Sequence, residues 1–328
     1  MREIPRNFTS NLKDVFIFLL LIFLGVTISV SARFSNSFID GVILWFTAIL
    51  PALFPYLFLT TILATLKSTA KITSALTKPF NKIFNVGGTI SYAFLMSVIS
   101  GYPMGAKITC DLYEKGFLSK TETMRAFCFC STSSPVFTIS CVGNAMFKNP
   151  LFGLALFIVH LVSSIIVGYI FSFYKRMDRP KNARIQSTNV DNVLYESIYS
   201  SVLGALIVCG FIGIFYLVTD VLTSFGVLNP IINLLTKITG DKNLSSGVVV
   251  GLLEYTKGVK IISSGGISVL TLPFISALLG FGGLSIIMQS VAFIKKAKLK
   301  TAPFLIAKLL CAVLSFIIGL IVSLLFFG

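Results

Sequence analysis

Ser100-Gly101-Tyr102-Pro103-Met104-Gly105-Ala106-Lys107 is a polar, glycine-rich phrase in a chain otherwise written in long apolar runs. A second phrase, Leu253-Glu254-Tyr255-Thr256-Lys257-Gly258-Val259-Lys260, repeats its Tyr-x-x-Gly-x-Lys. One offset of 153 residues carries Tyr102, Gly105 and Lys107 onto Tyr255, Gly258 and Lys260, and Ala52-Leu53 onto Ala205-Leu206. An interrupted segment follows each phrase, broken at Ser131-Thr132-Ser133-Ser134-Pro135 in the first half and at Gly280-Phe281-Gly282-Gly283 in the second. Each half then closes with an apolar helix, over 151–173 and 303–327. The shared order of elements implies an internal repeat.

The apolar runs decide the class. Residues 15–32, 41–66, 151–173, 197–219 and 309–327 contain no Asp, Glu, Lys or Arg. Each is near or above the ~20 residues that span a hydrocarbon core as helix. Backbone groups find no partner in lipid, so a span is a helix or a barrel strand, and these runs lack the period-2 alternation of barrel strands. The whole chain is 55% apolar and only 12% charged, about half the charge of a soluble domain. The expected fold is an all-α polytopic membrane protein of two inverted-topology repeats, each with a re-entrant helical hairpin and a broken transmembrane helix. The expected division is an N-terminal transmembrane helix at 1–37, a first repeat at 38–174, a basic cytoplasmic linker at 175–192 and a second, inverted repeat at 193–328. Arg2, Arg6 and Lys13 before a run ending Val30-Ser31-Ala32 imitate a cleavable signal. The run is long for that role and is read as an uncleaved span.

Charge placement orients the chain. A cytoplasmic N-terminus in a multi-pass cell-membrane protein puts Lys67, Lys71, Lys78 and Lys82 inside, on an amphipathic helix. Lys115, Lys120, the basic cluster at 175–184 and Lys295, Lys296, Lys298 and Lys300 also fall inside, leaving Arg33, Lys148, Lys237 and Lys242 outside. That bias is what the positive-inside rule demands, and it requires the two halves to run in opposite senses, as in many secondary transporters. The net charge of +15 is thus spent on topology. It forms no aromatic-interleaved basic patch of the kind that reads nucleic acid, so the expected partners are the bilayer and a small anionic solute, with a homo-oligomer left open and no nucleic acid. The six cysteines match no zinc spacing and read as small buried hydrophobes. No HExxH, GxSxG or P-loop occurs, so neither an enzyme, a catalytic residue, a metal site nor a cofactor is expected. A coupling cation or proton stays open.

The candidate solute-binding residues are those that interrupt the apolar text. Lys107 and Lys260 each follow a glycine at the same repeat position. Helices resuming there would aim free N–H groups and their positive ends at the centre, a ready anion site, with Gly105 and Gly258 letting a ligand approach the backbone. The structural alternative pairs Lys107 with Asp111 and Glu254 with Lys257 or Lys260. Ser133 and Ser134 sit at a break where Pro135 cannot donate to the ladder and would line a wet cavity. Tyr102 and Tyr255 are the repeated tip tyrosines. Gln289 either binds solute or bonds a neighbouring helix. Glu254 is the one acid at a tip, open to a coupling proton or cation or to an ion pair. Arg125 is either a second anion ligand or a partner for Glu122, His160 an interhelical contact or a proton relay, and Lys308 is read as snorkelling to the cytoplasmic face.

The run from Ser100 to Lys107, with Asp111-Leu112-Tyr113, Phe129 to Pro135 and Val142-Gly143, resembles the YlbJ/SpoVV family of sporulation integral membrane proteins. In the second half, Gly251-Leu252-Leu253-Glu254 and Gly258-Val259-Lys260 are similar to the same family's later motif. The resemblance covers nearly the whole chain from about residue 38. It implies the nucleoside-recognition or Gate domain, related to concentrative nucleoside transporters. It also implies a role in endospore formation, in the outer forespore membrane, moving dipicolinic acid from mother cell toward forespore. Cys128, Cys130 and Ser131-Thr132 depart from the Asn-rich text expected near the break. Two other functions stay open: a carrier of nucleosides or another neutral metabolite, and a non-transporting morphogenetic or receptor protein.

Overall fold

A computed structural model describes residues 17–25, 29, 32–63, 67–175 and 193–326. The expected first helix at 1–37 is covered only in part, and the linker at 175–192 lies outside the described residues except for Lys175. Among the described residues the regular structure is all helical.

In the first half, α1 (Ala32–Leu44) runs through a wide turn, Trp45–Ile49, into α2 (Leu50–Leu63). Next come α3 (Lys67–Phe84), α4 (Thr89–Ser100), α5 (Met104–Glu114), α6 (Lys120–Phe129), a π-wound α7 (Val136–Met146) and α8 (Pro150–Phe171). The second half has α9 (Val193–Ser224), α10 (Asn229–Thr239), α11 (Lys242–Leu253), α12 (Tyr255–Ser263), α13 (Thr271–Phe281), α14 (Gly283–Lys296) and α15 (Ala302–Phe326). Both halves thus read long helix, shorter amphipathic helix, hairpin, broken helix, long helix. The register holds to the residue at one point: α4 ends on Ser100 and α11 on Leu253, again 153 apart.

Local chemistry sets these boundaries. Ser119 and Glu122 form a reciprocal capping box at the start of α6. Asn149 accepts the Phe152 N–H ahead of Pro150, which sits where a missing N–H costs nothing. Asp241 accepts the N–H groups of Asn243 and Leu244 to open α11. Gly282, left-handed at φ +89°, breaks α13 from α14.

Among the described residues, four helices are long and apolar enough to cross a membrane: Pro150–Phe171, Val193–Ser224, Thr271–Lys296 taken through its break, and Ala302–Phe326. Thr73–Phe84 and Thr89–Ser100, bent by 88°, form a fifth candidate, either a broken span or a re-entrant loop. The protein is a multi-pass helical membrane protein. Burial on α15 shows why. With 25 residues it reaches ~37 Å at 1.5 Å per residue. Ile306, Leu309, Val313, Ile317, Ile321 and Leu324 are exposed, while Ala307, Lys308, Cys311, Ser315, Gly319 and Ser323 face the bundle. A water-soluble helix does the reverse. Here lipid solvates the large apolar side chains, and small residues allow close helix contact.

Both hairpins fold back through glycine. A Cβ on Gly105 would lie 1.4 Å from the Cys130 carbonyl oxygen and 2.6 Å from Ser97 Oγ; on Gly258 it would lie 2.3 Å from Gly251 Cα. The first half packs its hairpin on an aromatic cluster in which the rings of Phe84 and Phe129 stack 4.5 Å apart. In the second, α11, α12 and α13 share a core with α7 and α8, so the halves interlock.

Candidate functional site

The two hairpin turns and the two helix breaks converge on one cavity of about 350 Å³. Gly101 and Tyr102 contribute from the first turn, Ser133 and Ser134 from the first break, Glu254, Tyr255 and Thr256 from the second turn, and Ser285 and Gln289 from just beyond the second break. Val136, Phe137 and Cys141 of α7 and Val208 and Ile212 of α9 supply apolar walls. Each turn packs on the break of its own half. A Cβ on Gly101 would meet the Ser134 nitrogen at 2.9 Å, and one on Gly283 the Tyr255 nitrogen at 3.1 Å.

Tyr102 ties the site together. Its hydroxyl donates to the Leu279 carbonyl at 2.8 Å, at the end of α13, and lies 3.0 Å from His160 Nε2 on α8. That nitrogen accepts the Ser133 N–H at 3.1 Å, so His160 is an interhelical contact that holds the first break. Thr132 is fixed to α4 through Ser97, and Ser134 Oγ accepts the Phe137 N–H to start α7. Gln289 donates to Ser285 at 3.3 Å. Tyr255 stands 5.6 Å from the Phe137 ring, and its buried hydroxyl has no hydrogen-bond partner among the described residues.

Glu254 is buried at the second turn, where its Oε2 accepts the Lys257 N–H at 2.7 Å and so caps α12. It does not pair with a lysine ammonium. Lys257 turns instead to Asp220 on α9 and lies over the Tyr216 ring. Among the described residues no cationic side chain reaches Glu254 within ion-pair distance.

Of the ten sequence candidates, Tyr102, Ser133, Ser134, Glu254, Tyr255 and Gln289 share this cavity. Lys107 and Lys260 are not brought together. Lys107 is a full turn beyond the tip and binds Asp111 at 3.0 Å and Ser200 of α9 at 2.9 Å. Lys260 is exposed on α12. Gly105 and Gly258, the remaining two, sit at helix contacts. The physical reason is rotation: glycine presses one helix face onto its neighbour, and a residue two positions on points elsewhere.

A different cation adjoins the cavity. Lys308 is 2% exposed, where a snorkelling side chain was expected. Its ammonium donates to Tyr102 Oη and to the Ser131 carbonyl, both at 3.3 Å, and stands 4.4 Å from the Tyr102 ring centre. A charge buried without an ion-pair partner carries an uncompensated desolvation cost, so this placement is costly. The sequence signal was the small-residue stripe of Cys311, Ser315, Gly319 and Ser323, three, seven, eleven and fifteen positions on, which marks the bundle-facing side. Arg125 is structural: it donates to the carbonyls of Asn85, Tyr174 and Lys175. Glu122 accepts the N–H groups of Gly87 and Ser119.

Among curated proteins the chain is similar to the sporulation integral membrane protein YlbJ of Bacillus subtilis (strain 168). The two are 28% identical over 252 residues, covering 69% of this chain and 62% of that protein. The chain thus spans less than two thirds of that protein's length. No protein-family profile matches the chain, and no solved structure matches it.

Proposed function

We propose that the chain is a membrane carrier of a small anionic solute, and that the solute is dipicolinic acid, moved across the outer forespore membrane of a sporulating cell. The observation that carries this reading is the cavity itself. Two turns and two breaks place irregular backbone in the interior of a helical membrane protein, which lipid tolerates only where protein or a wet cavity covers it. Its volume of about 350 Å³ falls within the ~300–1,000 Å³ usual for small-molecule sites. The lining is apolar with a few convergent hydroxyls and an amide, which suits an aromatic ring bearing polar groups. Sporulation enters through the relative's name. In this reading the halves are inverted repeats, the hairpins are re-entrant from opposite faces, and the N-terminus is cytoplasmic. Their equal element order and the placement of lysines and arginines support that arrangement.

Proteoliposomes containing the purified protein are expected to accumulate labelled dipicolinate above protein-free liposomes. Ser134→Ala with Gln289→Ala should slow uptake about tenfold, since each leaves a solute polar group unmatched. Absence of uptake by the wild type would overturn the reading. One observation favours a second: the charged group that lines the cavity is the Glu254 carboxylate, which suits a neutral hydrogen-bonding solute such as a nucleoside. A thermal-shift screen of dipicolinate against nucleosides separates the two.

A further inference from the structure

Lys308 has no role in the element pattern that builds the repeat, and a neutral donor would serve its two hydrogen bonds. Among the described residues no carboxylate lies within ion-pair distance of it, so its charge is uncompensated inside the protein. It reaches the cavity only through Tyr102, whose oxygen it holds at 3.3 Å and whose ring it faces at 4.4 Å. One further polar atom points to a missing ligand. Among the described residues the Tyr255 hydroxyl has no hydrogen-bond partner. Tyr255 is more than nine-tenths buried and lines the cavity. Buried polar groups are nearly always satisfied.

We infer that Lys308 supplies the counter-charge for the solute: a carboxylate at the first-turn end of the cavity accepts the Tyr102 hydroxyl, whose oxygen the buried ammonium holds. The hydroxyl rotates from Leu279 to the solute, and the ammonium polarises it, making a charge-assisted hydrogen bond that is shorter and stronger than a neutral one. Lys308 is then a positioning and polarising residue, and Tyr102 the group that touches solute. The selected class is an aromatic carboxylate whose anionic edge faces Tyr102. This inference rests on the carrier reading and gives its site a polarity: anion at the Tyr102 end, hydrogen-bonding edge at Gln289 and Tyr255.

Calorimetric binding to the purified full chain, with pyridine-2,6-dicarboxylate and its neutral diamide as probes, tests it. The wild type should prefer the dicarboxylate. Lys308→Gln should weaken the dicarboxylate at least tenfold and the diamide less than threefold, Tyr102→Phe should act in the same sense, and Lys308→Arg should restore part of the preference. Equal losses for both probes, or none, in Lys308→Gln would overturn the inference while leaving the carrier reading intact. A Lys308→Gln protein that fails to fold shifts the decision to Tyr102→Phe and Lys308→Arg, where an unchanged probe preference in both overturns it. A wild type that binds neither probe removes both the inference and the reading beneath it.

Discussion

Lys107, Lys260 and Lys308 carry the same charge, and only the packing of their helices separates them. The repeat singled out the first two by position, but a repeat reports register and not which way a side chain faces. Lys107 ends on Asp111 and Ser200, Lys260 on the surface, and Lys308 against Tyr102. The double variant Lys107→Ala with Lys260→Ala is therefore expected to keep dipicolinate uptake within about threefold of wild type, a change under 1 kcal/mol. A loss of a hundredfold in the same vesicles would return both lysines to the site. Glu254 gives a prediction of opposite sign. Gln at 254 still offers an oxygen to the Lys257 N–H, so the cap survives, while the like charge facing an anionic solute is removed. Dipicolinate should bind about tenfold more tightly to Glu254→Gln. That gain, about 1.4 kcal/mol, is a modest share of the ~4 kcal/mol two charges exchange at 4 Å under an effective dielectric of 20. Weaker binding would make Glu254 an attractive contact.

Hairpins and breaks were the legible elements. The break expected at Ser131–Pro135 falls between the end of α6 at Phe129 and the start of α7 at Val136, and that expected at 280–283 falls on Gly282. Glycine, proline and serine runs interrupt a helix for local reasons, so sequence reveals them. The amphipathic helix bearing Lys67 to Lys82 was legible for the same kind of reason. Closeness between elements was not legible, because it depends on long-range packing. Gly105 reads as a tip glycine beside a ligand, yet its missing Cβ makes room for the Cys130 carbonyl. Gly105→Ala is accordingly expected to destabilise the protein by about 2–3 kcal/mol. Gly116→Ala, at φ +78° with open space around it, should cost only about 1 kcal/mol for its backbone. Unfolding in detergent, followed by fluorescence, compares them. Equal stability would mean that α5 does not rest on the first break.

At the scale of the molecule, the account requires two halves inserted in opposite senses around one cavity. Lys115, after the first hairpin, and Lys242, at the start of the second, are both exposed and should lie on opposite faces of the bilayer. In intact vegetative cells expressing the chain in the cell membrane, a membrane-impermeant maleimide should label Lys242→Cys at once and Lys115→Cys only after permeabilisation. Labelling of both from one side would refute the inverted arrangement. The cavity supplies its own reporter, because Cys141 is free, half-buried and part of the wall. The most direct measurement is therefore the rate of Cys141 alkylation in the purified wild-type chain, read by mass spectrometry with rising dipicolinate. The account predicts saturable protection of Cys141 by dipicolinate and none by an aliphatic dicarboxylate of the same charge. Alkylation at an unchanged rate at every dipicolinate concentration would contradict it.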